Sequence, residues 1–211
     1  MKLSSAERHL LSSAVVTARQ KGTRRNTSWV LVTGAPGSGK TTIVTCMAAA
    51  GWRAIEDPGR AEFEHQLKNG IPPNIVRRDY RRFQHLVLKR ALSIVDLIPD
   101  NEQVLLDYGV AESLAFMKVA GIPWDDVIVQ EAARLHFRQV FLLDIVPLPL
   151  NADDIIRNES ELSRNLLRNL FQEIYQVLGH NPIRVPLMGV KERFDFINGL
   201  IKCPQSTITI S

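Results

Sequence analysis

The sequence predicts an α/β fold, a three-layer sandwich in which a five-stranded parallel sheet carries helices on both faces. Two observations predict it. Short apolar runs alternate along the chain with longer segments of helical character, the pattern of strand–helix–strand crossovers. The runs are also apolar without polar alternation, as strands covered on both faces must be.

The elements follow in order. Ser4 to Arg19 reads as a short helix of weak apolar periodicity, and Lys21-Gly22-Thr23-Arg24-Arg25-Asn26 as a polar linker. Trp29 to Thr33 is the first strand, followed by a glycine-rich turn and a helix from Thr41 to Ala50 that Gly51 ends. Trp52 to Ile55 is a second strand and Arg60 to Lys68 a helix. Pro72-Pro73 breaks the chain before a long helix from Asp79 to Leu97. Gln103 to Asp107 is the third strand, and helices are expected over Ala111 to Ala120 and Trp124 to Leu135. Gln139 to Leu143 is the fourth strand. Asn158 to Glu161 has capping-box spacing and opens a helix with the stripe Leu162, Leu166, Leu167, Leu170, Ile174 and Leu178, closed by Gly179. Ile183 to Val185 is the fifth strand and Val190 to Leu200 the last helix.

With 211 residues, 45% of them hydrophobic, the chain suits one large domain with a substantial core. No apolar run approaches the roughly 18–20 residues that span a bilayer. Met1 to Gln20 does not read as a signal peptide, because Arg8, His9 and repeated serines interrupt any apolar stretch. Cys46 and Cys203 cannot build a disulfide framework, so a cytoplasmic setting is expected. The net charge is +4 and unevenly spread. Lys2, Arg8, Arg19, Lys21, Arg24 and Arg25 face one acid, Glu7, within residues 1–28. Arg77, Arg78, Arg81, Arg82, Lys89 and Arg90 form a second basic cluster around Asp79. The favoured reading of both clusters is a solvated helix face; the alternative is attraction to phosphates or another polyanionic partner, such as RNA, an acidic protein or anionic lipid, with the first cluster acting as a basic arm.

Gly34-Ala35-Pro36-Gly37-Ser38-Gly39-Lys40-Thr41 matches G-x-x-x-x-G-K-[ST] and lies between a strand and a helix, as the motif requires. Its glycines let backbone N–H groups curl around a phosphate, toward which the following helix directs its positive end. Lys40 brings a charge to the terminal phosphates, Thr41 offers a hydroxyl to Mg²⁺, and Thr42 continues the cradle. The implied ligands are a nucleoside triphosphate, ATP with GTP as the alternative, and Mg²⁺. The fold class is accordingly a P-loop NTPase sandwich of strand order 2-3-1-4-5. The expected division is a basic arm over 1–28, a nucleotide-binding domain over 29–203 and a polar tail over 204–211.

Ligands on such sheets sit at the carboxyl ends of the strands, so polar residues there are candidates. Asp107 ends the third strand and suits an Mg²⁺-linked carboxylate, partly through water; the alternative is a cap for the next helix. Asp57 follows the second strand and can take a proton from an acceptor hydroxyl; the alternative is a turn residue before Pro58-Gly59. Arg60 beside it suits a polar or anionic substrate group or a helix first turn. Arg157, with Asp153 and Asp154 nearby, suits a lid that closes over the phosphates, or a surface ion pair. His65, His85 and His136 have no metal-ligand spacing, and Cys46 reads as core.

On these residues the sequence resembles the small P-loop proteins described as AAA-domain-like ATPases, a group similar to nucleoside-type and ribosylnicotinamide kinase domains. The resemblance spans roughly Trp29 to Leu200 and rests on the P-loop, Asp57-Pro58-Gly59-Arg60, Val104-Leu105-Leu106-Asp107, Val140 to Leu143, and Asp154-Ile155-Ile156-Arg157 with Glu159 and Glu161. It implies triphosphate and Mg²⁺ at Lys40 and Thr41, a metal-side Asp107, an acceptor near Asp57 and Arg60, and a lid Arg157. The sequence departs from the group in having Asp at 57, where Glu is frequent, and Asp107-Tyr108, where Asp-Arg is frequent. The resulting expectation is a kinase for a small-molecule hydroxyl. The alternatives are an NTPase or switch acting with a macromolecule, and a non-catalytic nucleotide sensor.

Overall fold

A computed structural model describes residues 1–147 and 160–202. Its main sheet has the parallel order β3-β4-β2-β6-β7, made by Arg53–Ile55, Val104–Leu106, Val30–Thr33, Gln139–Leu143 and Ile183–Val185. Counted along the chain within this sheet alone, the order is 2-3-1-4-5.

Alternation along β2 and β6 explains the layers. Leu31, Val140 and Leu142 point into one core, with residues of α1 (Ser5–Gln20), α5 (Tyr80–Val95), α6 (Glu112–Val119), α7 (Asp126–Arg134) and α8 (Glu161–Val177). Val30, Val32, Phe141 and Leu143 point the other way, against Ile43, Val44 and Met47 of α2 (Lys40–Ala49) and Ile197 and Ile201 of α9 (Val190–Lys202). Successive strand side chains alternate faces, so a run apolar at every position needs cover on both sides. Two further helices, α3 (Pro58–Lys68) and α4 (Pro73–Arg78), pack with α5 around Phe63, Val76 and Phe83.

The N-terminal segment differs from expectation. Residues 1–28 are not an appended arm. α1 begins with a capping box between Ser4 and Glu7, places Leu11 and Val15 in the larger core and also buries Ala18. The expected linker contains β1 (Arg25–Asn26), which pairs in parallel with β5 (Leu135–His136), so α7 stops at Arg134 where a helix to Leu135 was expected. Arg24 donates to the carbonyls of Ala133 (2.8 Å) and Leu178 (2.7 Å). Arg25 donates to the carbonyls of Val95 and Ile98 and pairs with Asp100. Arg8 pairs with Glu173 on α8. These three guanidiniums are structural donors, so half of the basic residues expected in a polyanion-binding arm are engaged within the domain. The second cluster is also engaged in part, Arg90 with Glu62 and Arg81 with the Pro123 carbonyl. No helix among the described residues is long and apolar enough to cross a membrane.

Candidate functional site

The loop after β2 has the shape of a phosphate cradle. A Cβ on Gly34 would stand 2.6 Å from Ser38 Oγ and 3.0 Å from the Leu143 carbonyl, so only glycine fits there. Gly39 caps α2 at φ 88°, in the left-handed region. Lys40 opens α2, is 8% exposed, and donates from Nζ to the Gly34 carbonyl at 2.6 Å. The lysine therefore folds back along its own loop. Thr41 donates from Oγ1 to Asp107 Oδ2 at 3.0 Å, and Thr42 beside it is exposed.

Asp107 is placed by the sheet. Its N–H donates to the Ile55 carbonyl, extending the β3–β4 ladder by one residue, so its carboxylate emerges beside the P-loop, 2% exposed. The hydroxyl–carboxylate pair of Thr41 and Asp107 is a hard oxygen donor set of the kind Mg²⁺ takes.

Asp57 is the N-cap of α3, with Oδ1 accepting from Gly59 N–H (2.7 Å) and Arg60 N–H (3.3 Å). The turn reading of this residue thus holds in geometry. Its Oδ2 has no hydrogen-bond partner among the described residues, and the side chain still lines the cavity next to Lys40. Arg60 pairs with Glu64 one turn on and lines the same cavity. Arg157, Asp153 and Asp154 lie outside the described residues, as does the end of the chain from residue 203.

That cavity, about 770 Å³ including its mouth, is the second half of the site. One wall is the P-loop side, with Pro36, Lys40 and Asp57. The other is aromatic, with Phe63 edge-on to Phe83, Tyr80 stacked on Phe83, and the Arg77 guanidinium over Phe63 at 5.4 Å.

Three further polar groups line the cavity, of which sequence reading noted only Tyr108, as a departure from the resembling group. Gln84, 2% exposed on the apolar face of α5, has a side-chain oxygen with no hydrogen-bond partner among the described residues. Glu112 opens α6, is 1% exposed, and accepts from Gly109 N–H at 3.2 Å. Burial drives the Glu112 pKa up to about 8, with Asp57 adding to the rise and the Lys40 ammonium opposing it. Tyr108, where an arginine is frequent in the resembling group, shares a hydrogen bond with Ser113 at 2.6 Å, and burial raises its pKa well above the phenol range. Gln84 did leave a signal: it is a polar residue in register with Val87, Leu88 and Ala91 on the buried stripe.

A cradle for a polyanion, an oxygen pair suited to a hard cation and an open-mouthed cavity thus converge at the carboxyl ends of β2, β3 and β4. The fold is similar to that of a deoxyadenosine kinase from M. mycoides solved with bound dATP, at a TM-score of 0.63 and 16% identity, covering 83% of this chain and 100% of that one. The same enzyme solved with products dCMP and dCDP gives a TM-score of 0.61 at 16% identity, covering 82% and 97%. No curated protein matches the chain. A family model described as an AAA domain matches residues 29–193, from the strand that feeds the P-loop into α9, and the chain belongs to that family.

Proposed function

We propose that this protein is a kinase that moves the terminal phosphoryl group of ATP, with GTP as the alternative donor, to a hydroxyl of a small nucleoside-like molecule. The observation that carries the reading is the shared wall. The cavity lined by Gln84 and the aromatic residues opens onto Lys40 and Pro36 of the P-loop, so an acceptor there would meet the end of a triphosphate.

Lys40 and the loop amides would hold the phosphates, and Thr41 and Asp107 would hold Mg²⁺, which when bound neutralises charge on the phosphate oxygens. The acceptor oxygen bonds to the terminal phosphorus as the bond to the bridging oxygen breaks. The nucleoside diphosphate leaves, and the hydroxyl proton passes to Asp57 Oδ2. Glu112 is held neutral at pH 7 and adds no negative charge beside the phosphates. Arg60 would orient the acceptor and Arg157 would close over the phosphates. The aromatic wall and the open hydrogen-bonding capacity of Gln84 support a planar heterocycle as the acceptor's body.

The macromolecular alternative draws on the basic arm and the Arg77 to Arg90 cluster, of which Arg24, Arg25 and Arg90 are engaged within the domain. Thermal melting against single nucleosides, sugars and other hydroxyl metabolites, with ATP and Mg²⁺ present, tests the reading. It expects stabilisation by a nucleoside-class compound that Gln84→Leu removes. Stabilisation by ATP and by no hydroxyl compound would instead indicate an NTPase.

A further inference from the structure

Two buried arginines meet the P-loop from outside the nucleotide-binding motif. Arg164, on the first turn of α8 and 4% exposed, donates from Nε to the Pro36 carbonyl at 2.8 Å and from Nη2 to the Val146 carbonyl at 2.9 Å. Arg193, on α9 and 3% exposed, donates from Nη1 to the Ser38 carbonyl at 2.6 Å and from Nη2 to the Asp144 carbonyl at 3.2 Å. Arg164 also reaches the Gly37 carbonyl at 3.4 Å, so each guanidinium ties P-loop carbonyls to the chain leaving β6. The anchor is itself fixed, since the Asp144 carboxylate pairs with Arg168 and Arg184.

A trans peptide carries its C=O and N–H on opposite sides. Holding the Pro36 and Ser38 carbonyls outward turns the N–H groups of Gly37 and Gly39 the other way. Neither amide has a hydrogen-bond partner among the described residues, whereas Ser38 N–H between them donates to the Ala35 carbonyl. A glycine-rich loop has many alternative peptide orientations, so these two would flip readily without an outer restraint. Neither guanidinium has a carboxylate ion-pair partner among the described residues. Carbonyl dipoles compensate much of their charge, with the nearby Asp144 carboxylate adding to this at Arg193, so a polyanion on the inner side of the loop meets a positive shell behind it.

We infer that Arg164 and Arg193 are positioning residues for triphosphate binding, which act through the P-loop by keeping the Gly37 and Gly39 amides turned inward. The inference rests on the proposed kinase reading for the identity of the anion. It also explains why α8 and α9, whose sequences carry no phosphate-binding motif, are built onto the back of the loop.

The test is calorimetric binding of ATP with Mg²⁺ to the full chain, alongside Arg164→Met, Arg193→Met and the charge-keeping variants Arg164→Lys and Arg193→Lys. Melting temperature and acceptor KM are measured in parallel. The expected result is a loss of ATP affinity of roughly tenfold or more in each Met variant, the scale of one charge-assisted hydrogen bond. Acceptor KM should stay within about twofold, and the Lys variants should recover part of the loss; a lysine keeps the charge but cannot bridge two carbonyls with a planar fork. A residue that only holds the fold would move melting temperature without this split between the two ligands. If the wild-type protein binds ATP and the Met and Lys variants bind it equally well, the inference is overturned while the kinase reading stands. If the wild-type protein binds no ATP, the kinase reading falls and takes the inference with it.

Discussion

Thr41 Oγ1 lies 3.0 Å from Asp107 Oδ2, joining the first turn of α2 to the end of β4 across 66 residues of sequence. The bond keeps two hard oxygen ligands together before any cation arrives. Asp107→Asn should raise the Mg²⁺ concentration for half-maximal turnover roughly tenfold, the scale of one lost charged ligand. Thr41→Ala should act in the same direction, and the double variant should lose less than the sum, because each single change already breaks the pair. Titrating Mg²⁺ against turnover at saturating ATP checks this; an unchanged half-saturation point in Asp107→Asn would remove that residue from the metal side.

Asp57 has a structural and a proposed chemical task on different oxygens. Asp57→Ala should lose the α3 cap, at a cost of about 1 kcal/mol of stability, and also the acceptor carboxylate. Asp57→Asn keeps a capping oxygen, so it should melt close to the wild-type protein while turnover drops by roughly 10²–10⁴. Parallel melting and rate measurements separate the tasks. Full turnover in Asp57→Asn would assign the residue to the cap alone.

Glu112 gives the stability a sign with pH. Its pKa rises from the ordinary value of 4.5 to about 8 on folding, so the folded state holds a proton that the unfolded state releases. Its contribution is full below pH 4.5 and falls as pH rises toward 8, each pKa unit being worth about 1.4 kcal/mol. His180 acts oppositely: burial, with His136 and Arg24 adding to it, lowers its pKa from 6.5 to about 3, so its contribution is lost as pH falls below 6.5. The window from 6.5 to 8 therefore isolates Glu112 from His180. Urea unfolding there should show the wild-type protein losing stability with pH and Glu112→Gln losing markedly less. Parallel slopes would mean that the carboxyl is ionised in the fold.

The N-terminal helix should behave as part of the core. Leu11 is fully buried, and Leu11→Ala should cost about 2–5 kcal/mol. The alternative of a detachable arm predicts a change near zero in denaturant unfolding.

Much of the sheet is legible because buried parallel strands are apolar at every position, and the P-loop because its backbone demands specific residues. What eluded the sequence has physical causes. β1 is a two-residue polar strand whose partner lies more than a hundred residues on, so neither composition nor periodicity marks it. The predicted helix stripe is buried at Leu167, Leu170, Ile174 and Leu178 but not at its start: Leu162 is 71% exposed, and the buried face opens with Arg164 and includes Phe171. A charged residue in an apolar stripe reads as a break in the pattern, although here it is the residue that reaches the P-loop carbonyls. Asp107 was legible from its place at a strand end. Glu112 was not, because nothing in a helix's first turn distinguishes a buried glutamate from the many exposed ones.

The central claim is that a triphosphate and a hydroxyl acceptor meet at Lys40. It is tested most directly by incubating the protein with ATP labelled on the terminal phosphate, Mg²⁺ and a pooled set of nucleosides and other hydroxyl metabolites, with Lys40→Ala as the blank. The account predicts a labelled phosphomonoester that appears only with the wild-type protein. Release of inorganic phosphate with no labelled acceptor, at the same rate with and without the pool, would contradict it.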